Sequence, residues 1–261
     1  SSAASDVYKR QDRIHPSTDG HLVMAYLFLK AQGLAGKPVA DIRIDGAGKK
    51  VTRSDNCRVS DLSVSSDNLT FTYEAKSLPY PIDTSYYDNE KHTQADALSV
   101  IPFMDEMNYE GLSVSGLSDG YYGLTIGGEF IGRFTARELE RGINMALLQN
   151  TPQYKQAMKI RQMNEERWLK ERKMREFYWV EYNLMRKTGM LWACDEAAVD
   201  TLRKYRPHDI FLQWNGDLWL QYMHKGIRED CVNEQQNLVD RIYEQNKPIP
   251  LRIEIKKFTD L

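Results

Sequence analysis

The sequence predicts an α+β protein in three parts, and three observations lead there: a strongly apolar helix near the N-terminus, short alternating segments through the middle, and long charged helical stretches afterwards. On this reading residues 12–35 hold a loop and an apolar helix suited to the outer layer of an α/β sandwich, 36–134 a β-rich module, and 135–261 a mostly helical region with a short terminal strand. The chain has 261 residues, 41% of them hydrophobic and 28% charged, which is ordinary globular usage and enough for more than one core.

The elements follow in order. Ser17 or Thr18 can cap a helix, Asp19 suits its positive end, and apolar residues continue to Leu29 before Gly33 closes it. Residues 22–29 are apolar on every face, so this helix should be covered on more than one side. Between Pro38 and Thr135 the pattern changes to strands. Val39 to Ile44 and Lys50 to Arg53 flank Asp45-Gly-Ala-Gly48; Val59 to Val64 and Leu69 to Tyr73 flank Ser65-Ser-Asp-Asn68; Gly111 to Gly116 and Tyr121 to Phe134 follow. Leu69, Phe71 and Tyr73 fall on one strand face, Thr70, Thr72 and Glu74 on the other, and a polar loop near Tyr86 to Asp96 interrupts the module.

Thr135-Ala-Arg-Glu138 is a capping box that opens a helix expected to reach about Leu148. Thr151-Pro152 repeats the start signal ahead of a long run to Lys187 and Gly189. Within it Met174, Phe177, Val180 and Leu184 recur at helical spacing, a stripe for the β module, a neighbouring helix or, on a sharper reading, a partner. Further helices fit Asp195 to Tyr205 and Asp230 to Gln245, and Leu251 to Phe258 reads as a last strand.

Charge and cysteines exclude several functions. The formal charge is −2 with a pI near 6.2, and basic residues are interleaved with acidic ones, which argues against nucleic-acid binding. Cys57, Cys194 and Cys231 are odd in number and form no CxxC pair, so no disulfide framework or zinc site is expected. The apolar run Leu22 to Leu29 is short of the ~20 residues of a membrane span. No signal peptide is visible, but Asp6-Val-Tyr-Lys-Arg-Gln11 reads as the translation of a transposase-adapter end used in sequencing libraries. Residues 1–11 are therefore expected to be artefact, with the natural start missing.

Asp12-x-x-His15, followed by Pro16 and Gly20-His21, carries the strongest chemical signal. An imidazole can take a hydroxyl proton and return it to a leaving group, while a carboxylate on its other nitrogen fixes the tautomer and stabilises the imidazolium. The block resembles that of SGNH (GDSL-type) hydrolases, in which an Asp-x-x-His pair near the end of the catalytic domain precedes a Gly-His helix. The resemblance implies that His15 is the general base, Asp12 its orienting acid, and that His21 caps or packs at the helix start. It also implies a flavodoxin-like α/β/α sandwich and a serine nucleophile in a Gly-Asp-Ser block with Gly and Asn donors, none of which precedes the pair here.

Thr151-Pro-Gln-Tyr154, Asn164-Glu-Glu-Arg-Trp168 and Asn246-Lys-Pro-Ile-Pro-Leu-Arg-Ile-Glu254 resemble an accessory region attached to some bacterial SGNH proteins. A small-molecule or carbohydrate ester substrate, no cofactor, and a secreted or periplasmic location are what the resemblance implies. A metal reading of Asp12, His15, Asp19 and His21 is disfavoured, because the His pair lacks the i, i+4 spacing that puts two ligands on one helix face.

Other serine and glycine motifs read as decoys. Gly116-Leu-Ser118-Asp-Gly120 matches G-x-S-x-G, but strand-like Tyr121 to Ile126 follows where a nucleophile elbow needs a helix, so a hairpin turn is expected. Asp45-Gly-Ala-Gly-Lys-Lys50 lacks Walker spacing, and Gly216-Asp217 is followed by Leu218. The five tryptophans are expected mainly in cores. The whole reads as the C-terminal part of a Ser-His-Asp ester hydrolase, inactive without its serine. The alternative is a non-catalytic accessory module that binds carbohydrate or protein.

Overall fold

The computed structural model describes residues 16–85 and 92–258. It is an α+β protein with a β module of mixed sheets and a helical region. Among the described residues one compact unit is formed by those up to Met158 together with those from Asn246 onward, and a second by Lys159–Gln245.

The first unit begins with helix α1 (Thr18–Ala31) and continues through strands β1 (Ala40–Asp45), β2 (Lys50–Asp55), β3 (Cys57–Val64) and β4 (Asn68–Ala75). A 3-10 turn (Gln94–Ser99) and the short helix α2 (Phe103–Glu106) lead to β5 (Glu110–Ser115), β6 (Tyr121–Ile126), β7 (Glu129–Thr135), helix α3 (Ala136–Arg141) and the two-residue β8 (Ile143–Asn144). Helix α4 (Pro152–Val180) carries the chain into the second unit, which also contains α5 (Glu196–Tyr205), α6 (Ile210–Tyr222) and α7 (Lys225–Gln245). Strand β9 (Leu251–Lys257) returns to the first unit.

Two sheets form the β module. One has the order β2-β1-β5-β8, with β1 and β5 parallel; the other is antiparallel in the order β3-β4-β9-β6-β7. Alternation decides which side chains meet. Leu69, Phe71 and Tyr73 of β4 are buried, and the residues between them are half-buried. Ile42, Ile44, Leu112 and Val114 from the first sheet share one apolar core with Phe71, Leu124, Ile126, Ile253 and Ile255 from the second. Each such aliphatic side chain stabilises the fold by roughly 1.5–3 kcal/mol on full burial.

The terminal strand is central. Ile253 pairs with Phe71 on one side and Ile126 on the other, so residues far apart in sequence close the five-stranded sheet. The reach of α3 differs from expectation. Its capping box forms, with the Glu138 amide donating to Thr135 Oγ1 at 3.1 Å, but the helix ends at Arg141 because Gly142 takes φ +93° and the chain turns into β8.

In the second unit Met174, Phe177, Val180, Leu184 and Met185 pack with Ala198, Leu202, Leu212, Trp219, Tyr222, Met223 and Cys231, so the α4 stripe serves this unit's own helices. Helix α6 was not expected. Asp209 caps it by accepting from the amides of Phe211 and Leu212, and the turn residues Pro207 and Gly216 obscure its period. Helix α7 starts at Lys225, ahead of the expected Asp230. Arg228 in its first turns bonds the carbonyls of Tyr222 and Met223 that end α6. Tryptophan placement also departs from expectation: Trp219 is fully buried, whereas Trp168, Trp192 and Trp214 are exposed on the helical unit.

Candidate active site

Asp12 and His15, the expected acid and base, lie outside the described residues. The structure therefore gives the frame that follows them. Ser17 has extended backbone and opens α1 as its cap residue, but its hydroxyl donates to the Asp19 carboxylate instead of accepting a helical amide. Asp19 Oδ1 also accepts from the Gly20 amide at 2.9 Å. Both side chains are buried, so the first turn of α1 is fixed by a carboxylate placed where the helix end favours negative charge. His21 is exposed and neither caps nor packs at the helix start.

A histidine that sequence reasoning missed stands beside this turn. His92 Nδ1 is 3.9 Å from Asp19 Oδ2 and 3.8 Å from Asp96 Oδ2. At those separations the contacts act as ion pairs when the imidazole is protonated, and are too long for direct hydrogen bonds. In the sequence His92 falls within the polar loop near Tyr86 to Asp96. The available signal was Thr93-x-x-Asp96 directly after it, which forms a capping box with the Thr93 amide 2.6 Å from Asp96 Oδ2.

Packing holds α1 in place from one side. Leu22, Val23 and Tyr26 join Ile82, Ala97, Ile101, Phe103, Met104 and Ala146 in a separate apolar cluster. Tyr26 donates to Glu106 Oε2 at 2.7 Å, and Lys30 reaches the same oxygen at 2.7 Å. These donors hold the Glu106 carboxyl below its ordinary pKa, the Lys30 bond contributing most. The opposite face is bare: Met24, Leu27 and Phe28 are 48%, 53% and 65% exposed. Among the described residues the expected covering of this helix exists on one side only.

The decoy motifs acquire structural roles. The turn carrying Ser118 links β5 of one sheet to β6 of the other, so it crosses between sheets and is not the expected hairpin. Ser118 is exposed, and its hydroxyl accepts from Lys257 Nζ at 2.8 Å. No helix leaves the turn, so the strand-turn-helix elbow is absent there. The glycine loop after β1 is a β-hairpin turn, with the Gly48 amide donating to Asp45. Gly216 leaves room for the guanidinium of Arg206, which pairs with Asp217 through two bonds of 2.6 and 2.7 Å.

The segments that resembled an accessory region also anchor the fold. Thr151 caps α4, Tyr154 donates to the Ile82 carbonyl at 2.9 Å, and Gln153 donates to Glu110 at 3.2 Å. Glu110 is fully buried on β5 and also accepts from Tyr73 at 2.8 Å. Burial pushes its carboxyl up to about 7, against the two hydrogen bonds that oppose the shift. Among the described residues neither Glu110 Oε2 nor Gln153 Oε1 has a hydrogen-bond partner.

Among the described residues no group of three His, Cys, Asp or Glu side chains is arranged to hold a metal ion, and no helix is long and apolar enough to cross a membrane.

Residues 158–247 match the family described as the diltiazem deacetylase C-terminal helical domain, almost the same span as the compact helical unit. The whole chain is similar to a solved gut microbial diltiazem-metabolizing enzyme, with 38% identity and a TM-score of 0.90 over 98% of this chain and 60% of the other. No curated protein matches the chain. The chain thus spans about three fifths of the length of a longer enzyme that it resembles closely in fold.

Proposed function

We propose that this chain is the C-terminal portion of an SGNH-type ester hydrolase that removes acetyl groups from a small-molecule or carbohydrate ester. The observation that carries the proposal is its 38% identity across nearly its whole length to a diltiazem-metabolizing enzyme, joined to the deacetylase-derived helical domain at 158–247. The Asp12-x-x-His15 pair directly before α1 supplies the chemistry.

In the proposed reaction a serine from a Gly-Asp-Ser block preceding residue 12 attacks the acetyl carbonyl while His15 takes its proton. The imidazolium, held by Asp12, then protonates the departing alcohol. Water repeats the sequence on the acetyl-serine and releases acetate, restoring the serine hydroxyl. The bare face of α1 fits this reading, because Met24, Leu27 and Phe28 would pack beneath the remainder of a sandwich. The test is the upstream reading frame at the genomic locus, with acetate release from p-nitrophenyl acetate by its product. A Gly-Asp-Ser block within a few hundred residues and serine-dependent turnover are expected; an upstream frame without such a block would defeat the assignment.

A second reading, an accessory unit that binds carbohydrate or protein, draws on the exposed Tyr121, Phe130 and Phe258 of the β module. Arg133 already lies 3.9 Å from the Tyr121 ring centre and 5.1 Å from that of Phe258, so their aromatic faces are partly taken. This makes them a weaker sugar platform than free rings.

A further inference from the structure

The helical unit contains an open cleft of about 750 Å³, with Met174, Tyr178, Trp192 and Val232 as its apolar wall. Trp192 has φ +65°, a left-handed conformation that favours glycine, and a large side chain held there needs its surroundings to fix it. Its amide donates to Glu181 Oε2 at 2.9 Å, and the other oxygen of this buried carboxylate accepts from Trp219 Nε1 at 2.8 Å. Glu181 opens a widened π-helical turn (Glu181–Met185) that continues α4, a distortion often found at functional sites. Tyr178 and Tyr182 each stand edge-on to Trp192 with ring centres 6.0 Å away. These contacts fix the indole, which remains 46% exposed.

The polar wall comes from the first turns of α7, and its charges balance. Lys225 and Arg228 stand against Glu229 and Asp230, so the cleft has no net attraction for an ion of either sign. Lys225 pairs with Glu229 at 3.2 Å. The Asp230 carboxylate and the Asn233 carboxamide have no hydrogen-bond or ion-pair partner among the described residues. Three positions apart on a helix, these two are neighbours, and together they accept and donate at adjacent points. A ligand that satisfies this wall is uncharged and carries neighbouring groups that each donate and accept. One that also covers the rings has an apolar face. A pyranose has both: vicinal hydroxyls around its edge, and a face of axial C–H bonds.

We propose that this cleft binds a neutral pyranose unit of a carbohydrate, its C–H face against Trp192 and Tyr178 and its hydroxyls toward Asp230 and Asn233. The site lies within the helical unit and does not depend on the hydrolase reading.

The full chain, labelled with nitrogen-15, is titrated with cellobiose, lactose, xylobiose, mannobiose and diacetylchitobiose, and with glucosamine and glucuronate as charged sugars. The indole N–H signal of Trp192 is identified by its loss in Trp192→Gly. At least one neutral disaccharide is expected to shift that signal with a Kd on the order of 1 mM, and neither charged sugar should bind more tightly. Trp192→Gly relieves the left-handed backbone, so circular dichroism should be unchanged while affinity by calorimetry falls at least about tenfold. Asn233→Ala, an exposed change, should weaken the same disaccharide about threefold. The proposal is overturned if no disaccharide shifts the Trp192 signal up to about 20 mM, if a charged sugar binds most tightly, or if Asn233→Ala binds like the parent.

Discussion

Replacing Glu110 with glutamine separates the shape of this buried side chain from its charge. The Glu110 carboxyl has an ordinary value of 4.5 and rises to about 7 in the folded protein because burial disfavours its charged form. At about 1.4 kcal/mol per pH unit, the difference corresponds to about 3 kcal/mol. The folded value lies above the unfolded one, so this stability is fully present below about 4.5 and is lost as pH rises through about 7. Glutamine removes the titration, keeps the shape of the side chain and still accepts from Tyr73. Glu110→Gln should therefore flatten the acid-to-neutral stability profile and exceed the parent by about 1–3 kcal/mol at pH 8.5.

Urea unfolding followed by far-ultraviolet circular dichroism, with hydrogen exchange of β4 and β5 read by mass spectrometry, measures this effect in the right place. Tryptophan fluorescence would not, since all five tryptophans lie between positions 168 and 219, in the helical unit. Parallel pH profiles for parent and variant, or a variant less stable than the parent at pH 8.5, would refute the reasoning.

Other expected outcomes follow from the packing. Ile253→Ala empties a fully buried site in the central strand β9 and should lower the stability of the β module by about 2–5 kcal/mol, read from the midpoint of its urea transition. Thr135→Ala removes the cap of α3 and should cost about 1 kcal/mol in the same assay. Tyr26→Phe deletes the bond to Glu106 and should cost on the order of 1 kcal/mol, with the fold unchanged by circular dichroism. Changing Met24, Leu27 and Phe28 together to glutamine should reduce self-association of this chain in sedimentation velocity, because their exposed face would no longer be apolar.

Local signals made much of the fold legible. The alternation in Leu69, Phe71 and Tyr73, the Thr135 and Thr151 helix starts, and the buried Met174-Phe177-Val180-Leu184 stripe all depend on residues within a turn or two of one another. What stayed hidden depends on distant partners. Leu251 to Phe258 reads as a strand, but its place between β4 and β6 depends on pairing across more than a hundred residues. Helix α3 stops at Gly142 because β8 must reach β5, and α6 is masked by the turn residues Pro207 and Gly216. Three tryptophans that composition placed in cores are exposed, since a tryptophan's surroundings are set by the tertiary structure. At the candidate site, the Asp-x-x-His motif was visible because its members are adjacent. His92 was not, because only folding brings it to Asp19, seventy-three positions away.

We propose that His15 is the base of an ester hydrolase. Its most direct test is steady-state hydrolysis of p-nitrophenyl acetate by the protein encoded by the natural reading frame, with and without His15→Ala. The substitution is expected to lower kcat/KM by about 10³-fold or more, and the 261-residue chain alone to give only background release. Turnover unchanged by His15→Ala in the natural protein, or His15-dependent turnover by the 261-residue chain alone, would contradict it.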